Sequence, residues 1–173
     1  MEKIKNEDLG RLSVAAFKQA AKLPIIIVLD NVRSALNVGN IFRTCDAFRV
    51  EKILLCGITA VPPNKDIYKS ALGATETVAW EYFENTMDAI EHLKENNYVC
   101  VAVEQVQNSI RLNKLNWNGE KTALIFGHEV DGVSQAVVDQ SDYSLEIPQV
   151  GTKHSLNISV CHGVVMWKFF ESI

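Results

Sequence analysis

Short unbroken apolar runs alternate along this chain with longer stretches in which apolar positions recur every three or four residues. Ile25-Ile26-Ile27-Val28-Leu29 is a run of the kind buried on both faces of a sheet, and Thr122 to Phe126 is another. Lys52 to Cys56, Thr77 to Tyr82, Tyr98 to Val103 and Tyr143 to Ile147 read as four further strands, the last alternating in polarity and ended by Pro148. Between the strands, helical spacing predicts Ser13 to Lys22, stopped by Pro24; a helix from Asn37 or Val38 toward Phe48; a brief one over Asp66 to Leu72; and Asn85 to Glu95, carrying Met87, Ile90 and Leu93. Ser134 is placed to cap a short helix to Gln140, and Ser109 to Asn118 is irregular. Strands alternating with helices argue for an α/β fold, a mostly parallel sheet with helices on both faces. Residues 1–24 form an N-terminal helical arm and 25–173 a single domain, for which 173 residues at 47% hydrophobic suffice.

The last predicted helix, from a cap at Ser155 to Phe170, changes this picture. Leu156, Val160, Val164 and Trp167 make one apolar stripe, and Ile158, Cys161, Val165 and Phe169 make another. A surface helix needs one apolar face, so the second stripe predicts a second cover, a partner subunit.

Composition removes several classes. No apolar run approaches the roughly 20 residues of a membrane span, and the N-terminus leads into no signal-peptide core, so a cytoplasmic protein without membrane contact is expected. Cys45, Cys56, Cys100 and Cys161 stand singly in apolar surroundings, which predicts buried thiols and no metal. The net charge of −4 is uneven: residues 1–50 hold eight Lys and Arg against five Asp and Glu, leaving nine against sixteen in the remainder. A nucleic-acid surface would therefore use the N-terminal third.

Three segments carry candidate chemistry. Asn31-x-Arg33-x-x-x-Asn37-x-Gly39-x-x-x-Arg43 follows the first strand, where ligands of open α/β sheets bind, and the six-residue step from Asn37 to Arg43 suggests that both face one site. By itself it is also an ordinary helix start with a solvated arginine. Gly127-x-Glu129-x-x-Gly132 reads plainly as a turn at a strand end with a solvated carboxylate. In Ile147-Pro148-x-x-Gly151-x-x-x-Ser155-Leu156-Asn157-Ile158-Ser159-Val160, Ser155 can be a helix cap and Asn157 a first-turn polar residue. His162, one turn into an apolar helix, reads as a satisfied core histidine. There is no P-loop, no Gly-x-Ser-x-Gly elbow and no Gly-x-Gly-x-x-Gly, which weighs against a nucleotide-binding oxidoreductase.

Taken together, in this order and over nearly the whole chain, the three segments resemble the three motifs of the SpoU (TrmH-type) RNA ribose 2′-O-methyltransferases of the SPOUT superfamily. Pattern reasoning alone gives a flavodoxin-like or Rossmann-like sheet; the resemblance instead implies a C-terminal trefoil knot, about Gly127 to Phe170, that forms a pocket for S-adenosylmethionine, in a homodimer acting on tRNA or rRNA. It further implies that main-chain groups at Val103, Gly127, Ile147 and Leu156, with Ser155, hold the cofactor. Arg43 assists deprotonation beside an RNA phosphate, Arg33 and Arg43 contact RNA, and Asn37, Glu129, Ser155 and Asn157 shape the site. No metal is implied, because the leaving thioether is neutral. A catalytically idle knotted RNA-binding protein is the alternative, against which intact Arg43, Glu129 and Asn157 speak. His128, Val130, Cys161 and His162 occupy positions where this chain departs from the common pattern.

Overall fold

The computed structural model describes residues 1–173, the side chains of Asn6 and Glu7 excepted. Strands β1 (Leu23–Asp30), β2 (Val50–Cys56), β3 (Ala79–Phe83), β4 (Val99–Val103), β5 (Ile110–Arg111), β6 (Thr122–Phe126) and β7 (Tyr143–Glu146) form one sheet in the order β3-β2-β1-β6-β4-β7-β5. Every pairing is parallel. β1 and β6 lie side by side near its middle, Ile25 against Thr122 through Leu29 against Phe126. That is where unbroken apolar runs belong, because both faces are covered.

One face carries α1 (Val14–Gln19), α2 (Ala35–Ala47), α3 (Lys65–Ala71), α4 (Ala74–Thr77) and α7 (Ile158–Phe170), whose Phe17, Ile41, Phe42, Ile67, Val165 and Phe169 share a core with Ile25, Ile27 and Leu29. The other carries α5 (Thr86–Glu95) and α6 (Gln135–Gln140), with Ile90, Leu93 and Val137 packed on Ile26, Val28 and Ile125. Cys45, Cys56 and Cys100 are buried free thiols, and Cys161 is half-buried.

Several boundaries move. Pro24 does not stop a helix; α1 ends at Gln19 and Lys22 Nζ donates to the carbonyls of Phe17 and Ala20, while Pro24 sits inside β1. It is accommodated because the β1–β2 register jumps from Leu23 opposite Val50 to Ile26 opposite Lys52, an irregularity where a missing N–H does little harm. Helix α2 begins at Ala35, before Asn37, because Ser34 Oγ accepts from the Asn37 amide. Thr77 belongs to α4, where its hydroxyl donates to Asp46 Oδ2 at 2.5 Å, so the strand after it starts at Ala79. The short helix after Ser134 forms, but the Ser134 side chain makes no capping bond. Within the irregular 109–118 stretch, Ile110–Arg111 adds an edge strand.

The largest correction concerns the C-terminal helix. α7 starts at Ile158, not Ser155, and Asn157 is its cap, with Oδ1 accepting from the amides of Ser159 and Val160 at 3.0 and 3.4 Å. Ser155 lies exposed in the preceding loop. The two-stripe reading of α7 holds: Ile158, Val165 and Phe169 are buried, while Leu156, just before the helix, and Val160, Val164, Trp167 and Phe170 are exposed.

Candidate active site

The carboxyl ends of β1, β4, β6 and β7 converge on one edge of the sheet, where parallel α/β proteins gather their ligands. A cleft of about 510 Å³ opens there, lined by Val103, Phe126, Gly127, Leu145, Ile147, Leu156, Ile158 and Cys161 on its apolar side and by Glu104, Gln105, His128, Glu129, Asp131 and Ser155 on its polar side. Gly127 leaves no room for a side chain: a Cβ there would meet the main chain of Gly132 at 2.1 Å. His128 and Gly132 pair across a tight turn, each amide donating to the other's carbonyl at 2.9 Å.

At the rim the three motif segments are joined by a single chain of hydrogen bonds. The Glu129 carboxylate accepts from the amides of Arg33 at 3.0 Å and Ser34 at 2.9 Å and from Asn37 Nδ2 at 3.2 Å. Asn37 Oδ1 then accepts from Asn157 Nδ2 at 3.2 Å, and Asn157 Oδ1 caps α7. Neither amide can flip without facing donor to donor, since a carboxylate only accepts and a helix N-terminus only donates. Partial burial pushes the Glu129 pKa up, but the Ser34 and Arg33 amides, its own amide and Asn37 outweigh this, and the carboxyl sits below its ordinary range.

The structure thus brings Asn37, Glu129 and Asn157 together and puts Val103, Gly127, Ile147, Ser155 and Leu156 around the adjoining cleft. It does not bring Arg43 to them. Six residues turn an α-helix by about 600°, some 120° short of two turns, so Arg43 leaves α2 on a different face from Asn37. Arg43 is exposed and outside the cleft lining, and Arg33 contributes its amide while its side chain is solvated. Asn31, whose spacing also invited a functional reading, is structural: in the left-handed region at φ 58°, it donates to Asp30 Oδ1 and accepts from the Ile58 amide. Among the described residues no three His, Cys, Asp or Glu side chains gather as a metal would require.

His162 is fully buried, its ring edge-on to Phe126 at 5.2 Å and its Nε2 3.6 Å from Cys45 Sγ. Its Nδ1 has no partner among the described residues, so it is less completely satisfied than its position suggested. Burial pushes its pKa down to about 3 and, with the Asp46 charge in second place, raises that of Cys45 well above the ordinary thiol value.

The sequence profile of the SpoU rRNA Methylase family matches residues 24–167. This chain belongs to that family. A protein of Staphylococcus saprophyticus, provisionally described as a TrmH family tRNA/rRNA methyltransferase, is 31% identical over 158 residues, 91% of this chain and 63% of the relative. The chain therefore spans somewhat under two thirds of that relative's length. Among solved structures, the SpoU methyltransferase AviRb from Streptomyces viridochromogenes, in complex with its cofactor AdoMet, superposes with TM-score 0.79 at 18% identity over 89% of this chain and 62% of its own. A chain solved for insight into 2-OH methylation of C/U34 on tRNA gives 0.75 at 21%, covering 86% of this chain and 95% of its own. These two likenesses establish the shared fold. Glu104, which no motif spacing picked out, also lines the cleft.

Proposed function

We propose that this member of the SpoU family is an S-adenosylmethionine-dependent methyltransferase acting on a ribose 2′-hydroxyl of tRNA or rRNA, as a cytoplasmic homodimer. The observation that carries this reading is the Glu129–Asn37–Asn157 chain of hydrogen bonds, which joins three distant segments at the rim of a ligand-sized cleft. The cleft suits the cofactor. Its apolar wall fits an adenine, the bare backbone at Gly127 and Gly132 admits close approach, and Glu104, Glu129, Asp131 and Glu146 complement a ligand whose sulfonium and ammonium outnumber its carboxylate. Main chain at Val103, Gly127, Ile147 and Leu156, with Ser155, would hold it.

When bound, the cofactor supplies an electrophilic methyl group on a positively charged sulfur. Transfer would form a bond from that carbon to the ribose 2′-oxygen as the carbon–sulfur bond breaks, with the hydroxyl proton passing to solvent water. The residues here act mainly by positioning. Arg43 is exposed, and a guanidinium is a poor base. Its task in this reading is to hold an RNA phosphate and stabilise charge developing on the hydroxyl oxygen. Its position outside the cleft of its own chain fits a role in the partner's site.

Two features support self-association through α7. One is the exposed stripe of Val160, Val164, Trp167 and Phe170. The other is Gly163, a helix-interior glycine with nothing within 4 Å of where its Cβ would stand. Such a glycine costs its helix about 1 kcal/mol and gains nothing within this chain, but it allows close approach of a second helix. The proposal includes the trefoil knot. In its support, Gln105 Nε2 holds the loop before α7 through the His154 carbonyl at 2.8 Å, and α7 returns to pack Phe169 on Trp117 at 5.2 Å.

Incubating the protein with methyl-labelled cofactor and fractionated cellular RNA, then hydrolysing the RNA in alkali, tests the chemistry. Ribose methylation leaves the label in alkali-resistant dinucleotides. Label in mononucleotides would mean base methylation and overturn the 2′-hydroxyl assignment.

A further inference from the structure

Glu104 is the first residue beyond β4, and its amide still donates to the Leu145 carbonyl at 3.0 Å, so its side chain enters the cleft from a fixed backbone. Its carboxylate is fixed too. Oε1 accepts from the Gln105 amide at 2.8 Å and Oε2 from the Val133 amide at 2.9 Å. Gly132, at φ 70°, carries no side chain against it: a Cβ there would stand 2.1 Å from Oε2. The glycines of the second motif thus form two bare layers, Gly127 on Gly132 and Gly132 on the Glu104 carboxylate.

Each carboxylate oxygen can accept twice, and one main-chain amide on each leaves the pair with two acceptors side by side. The other carboxylates around the cleft are committed. Glu129 holds the Arg33 and Ser34 amides, Glu146 faces Arg111 at 3.5 Å, and Asp131 is 82% exposed beside His128. The charge of Glu104 reaches the opposite wall, where burial first and Glu104 second raise the Cys161 thiol to about 11.

We propose that Glu104 is a cofactor-binding residue whose two free acceptors take the vicinal ribose hydroxyls of the nucleoside bound in the cleft. This rests on the reading of the cleft as an S-adenosylmethionine site. A carboxylate at the end of a parallel strand meeting a ribose diol is a recurrent solution, because two adjacent O–H donors match two adjacent acceptors. On this assignment Gly132 serves to keep the carboxylate accessible, and the amides of Gln105 and Val133 orient it before the ligand arrives.

Calorimetric titration tests it, with S-adenosylhomocysteine and its 2′-deoxy and 3′-deoxy analogues against the wild type and Glu104→Gln. The wild type should bind the deoxy analogues about tenfold to a hundredfold more weakly, the value of a hydrogen bond to a charged group. Glu104→Gln should lose a similar factor toward S-adenosylhomocysteine and lose little more toward the deoxy analogues. Additive losses would mean that Glu104 only staples the Gly127–Val133 turn, and would overturn the proposal. A loss confined to S-adenosylmethionine, with S-adenosylhomocysteine unaffected, would assign the carboxylate to the sulfonium and overturn it equally. Should Glu104→Gln fail to fold, wild-type binding of the deoxy analogues as tight as that of the parent would still refute it. Absence of any S-adenosylhomocysteine binding by the wild type would instead refute the cofactor reading itself.

Discussion

Two carboxylates hold the segment between β1 and α2 from opposite sides. Asp30, 2% exposed, accepts from Asn31 Nδ2 at 2.8 Å, Thr86 Oγ1 at 2.6 Å and the Ser134 amide at 3.1 Å, tying the end of β1 to the first turns of α5 and α6. Glu129 also accepts three hydrogen bonds, from two main-chain amides and a side-chain amide, but in water. If Asp30 is removed, the buried Thr86 hydroxyl loses its acceptor and the part-buried Asn31 and Ser134 donors lose theirs; if Glu129 is removed, solvent replaces it. The same hydrogen-bond arithmetic therefore secures the fold at one end of the loop and only the orientation of Asn37 and Asn157 at the other.

The largest effect should come from a residue that neither carboxylate touches. Arg43→Ala should reduce methyl transfer by roughly 10²- to 10³-fold, leave cofactor affinity nearly unchanged, and flatten the salt dependence of RNA binding by about one unit of slope. Near-normal turnover under saturating RNA and cofactor would make Arg43 a surface charge only. Asp30→Ala should cost about 1–3 kcal/mol, which for a chain of this size lowers the melting temperature by roughly 2–12 °C. A shift below about 2 °C in thermal melts would erase the contrast between the two carboxylates.

Glu129→Gln reverses the pattern. Transfer should fall on the order of 10²-fold through misplaced neighbours, with a smaller loss of melting temperature than Asp30→Ala shows. The pH dependence follows the same carboxyl. Its folded pKa is depressed, so its contribution is present above the unfolded value of about 4.3 and fades as pH falls through the lower folded value. Glu129→Gln should remove that acid-side component from stability curves, and an unchanged curve would show that the hydrogen bonds do not persist in solution. Smallest of all, Gly163→Ala should stabilise α7 by up to about 1 kcal/mol if nothing approaches it. It should weaken self-association, read by light scattering against dilution, if a second helix does.

How far these features could be read from the residues depends on how local their causes are. β1 and β6 were legible because a strand buried on both faces needs nothing but apolar residues, and α7 announced its uncovered stripe by spacing alone. Thr77 reads as strand from its own branching, yet it closes α4, where its hydroxyl meets Asp46, 31 positions away. Ser155 and Asn157 are both good caps, and the choice falls to Asn157 because Asn37 fixes its amide from across the fold. In the site, Asn37, Glu129 and Asn157 stood out through motif resemblance. Glu104 did not, since its role depends on a glycine 28 positions later that is adjacent only after folding.

Two of the three tryptophans also give the molecule an internal optical record of its state. Trp117, 4% exposed and donating its indole N–H to Thr122 Oγ1 at 3.0 Å, reports whether the core is intact. Trp167, 56% exposed and resting against Phe48 and Phe170, reports what lies on the outer stripe. A shift of emission to shorter wavelength on concentration, lost when Trp167 is replaced by Phe but retained when Trp117 is, separates assembly from folding with no label added.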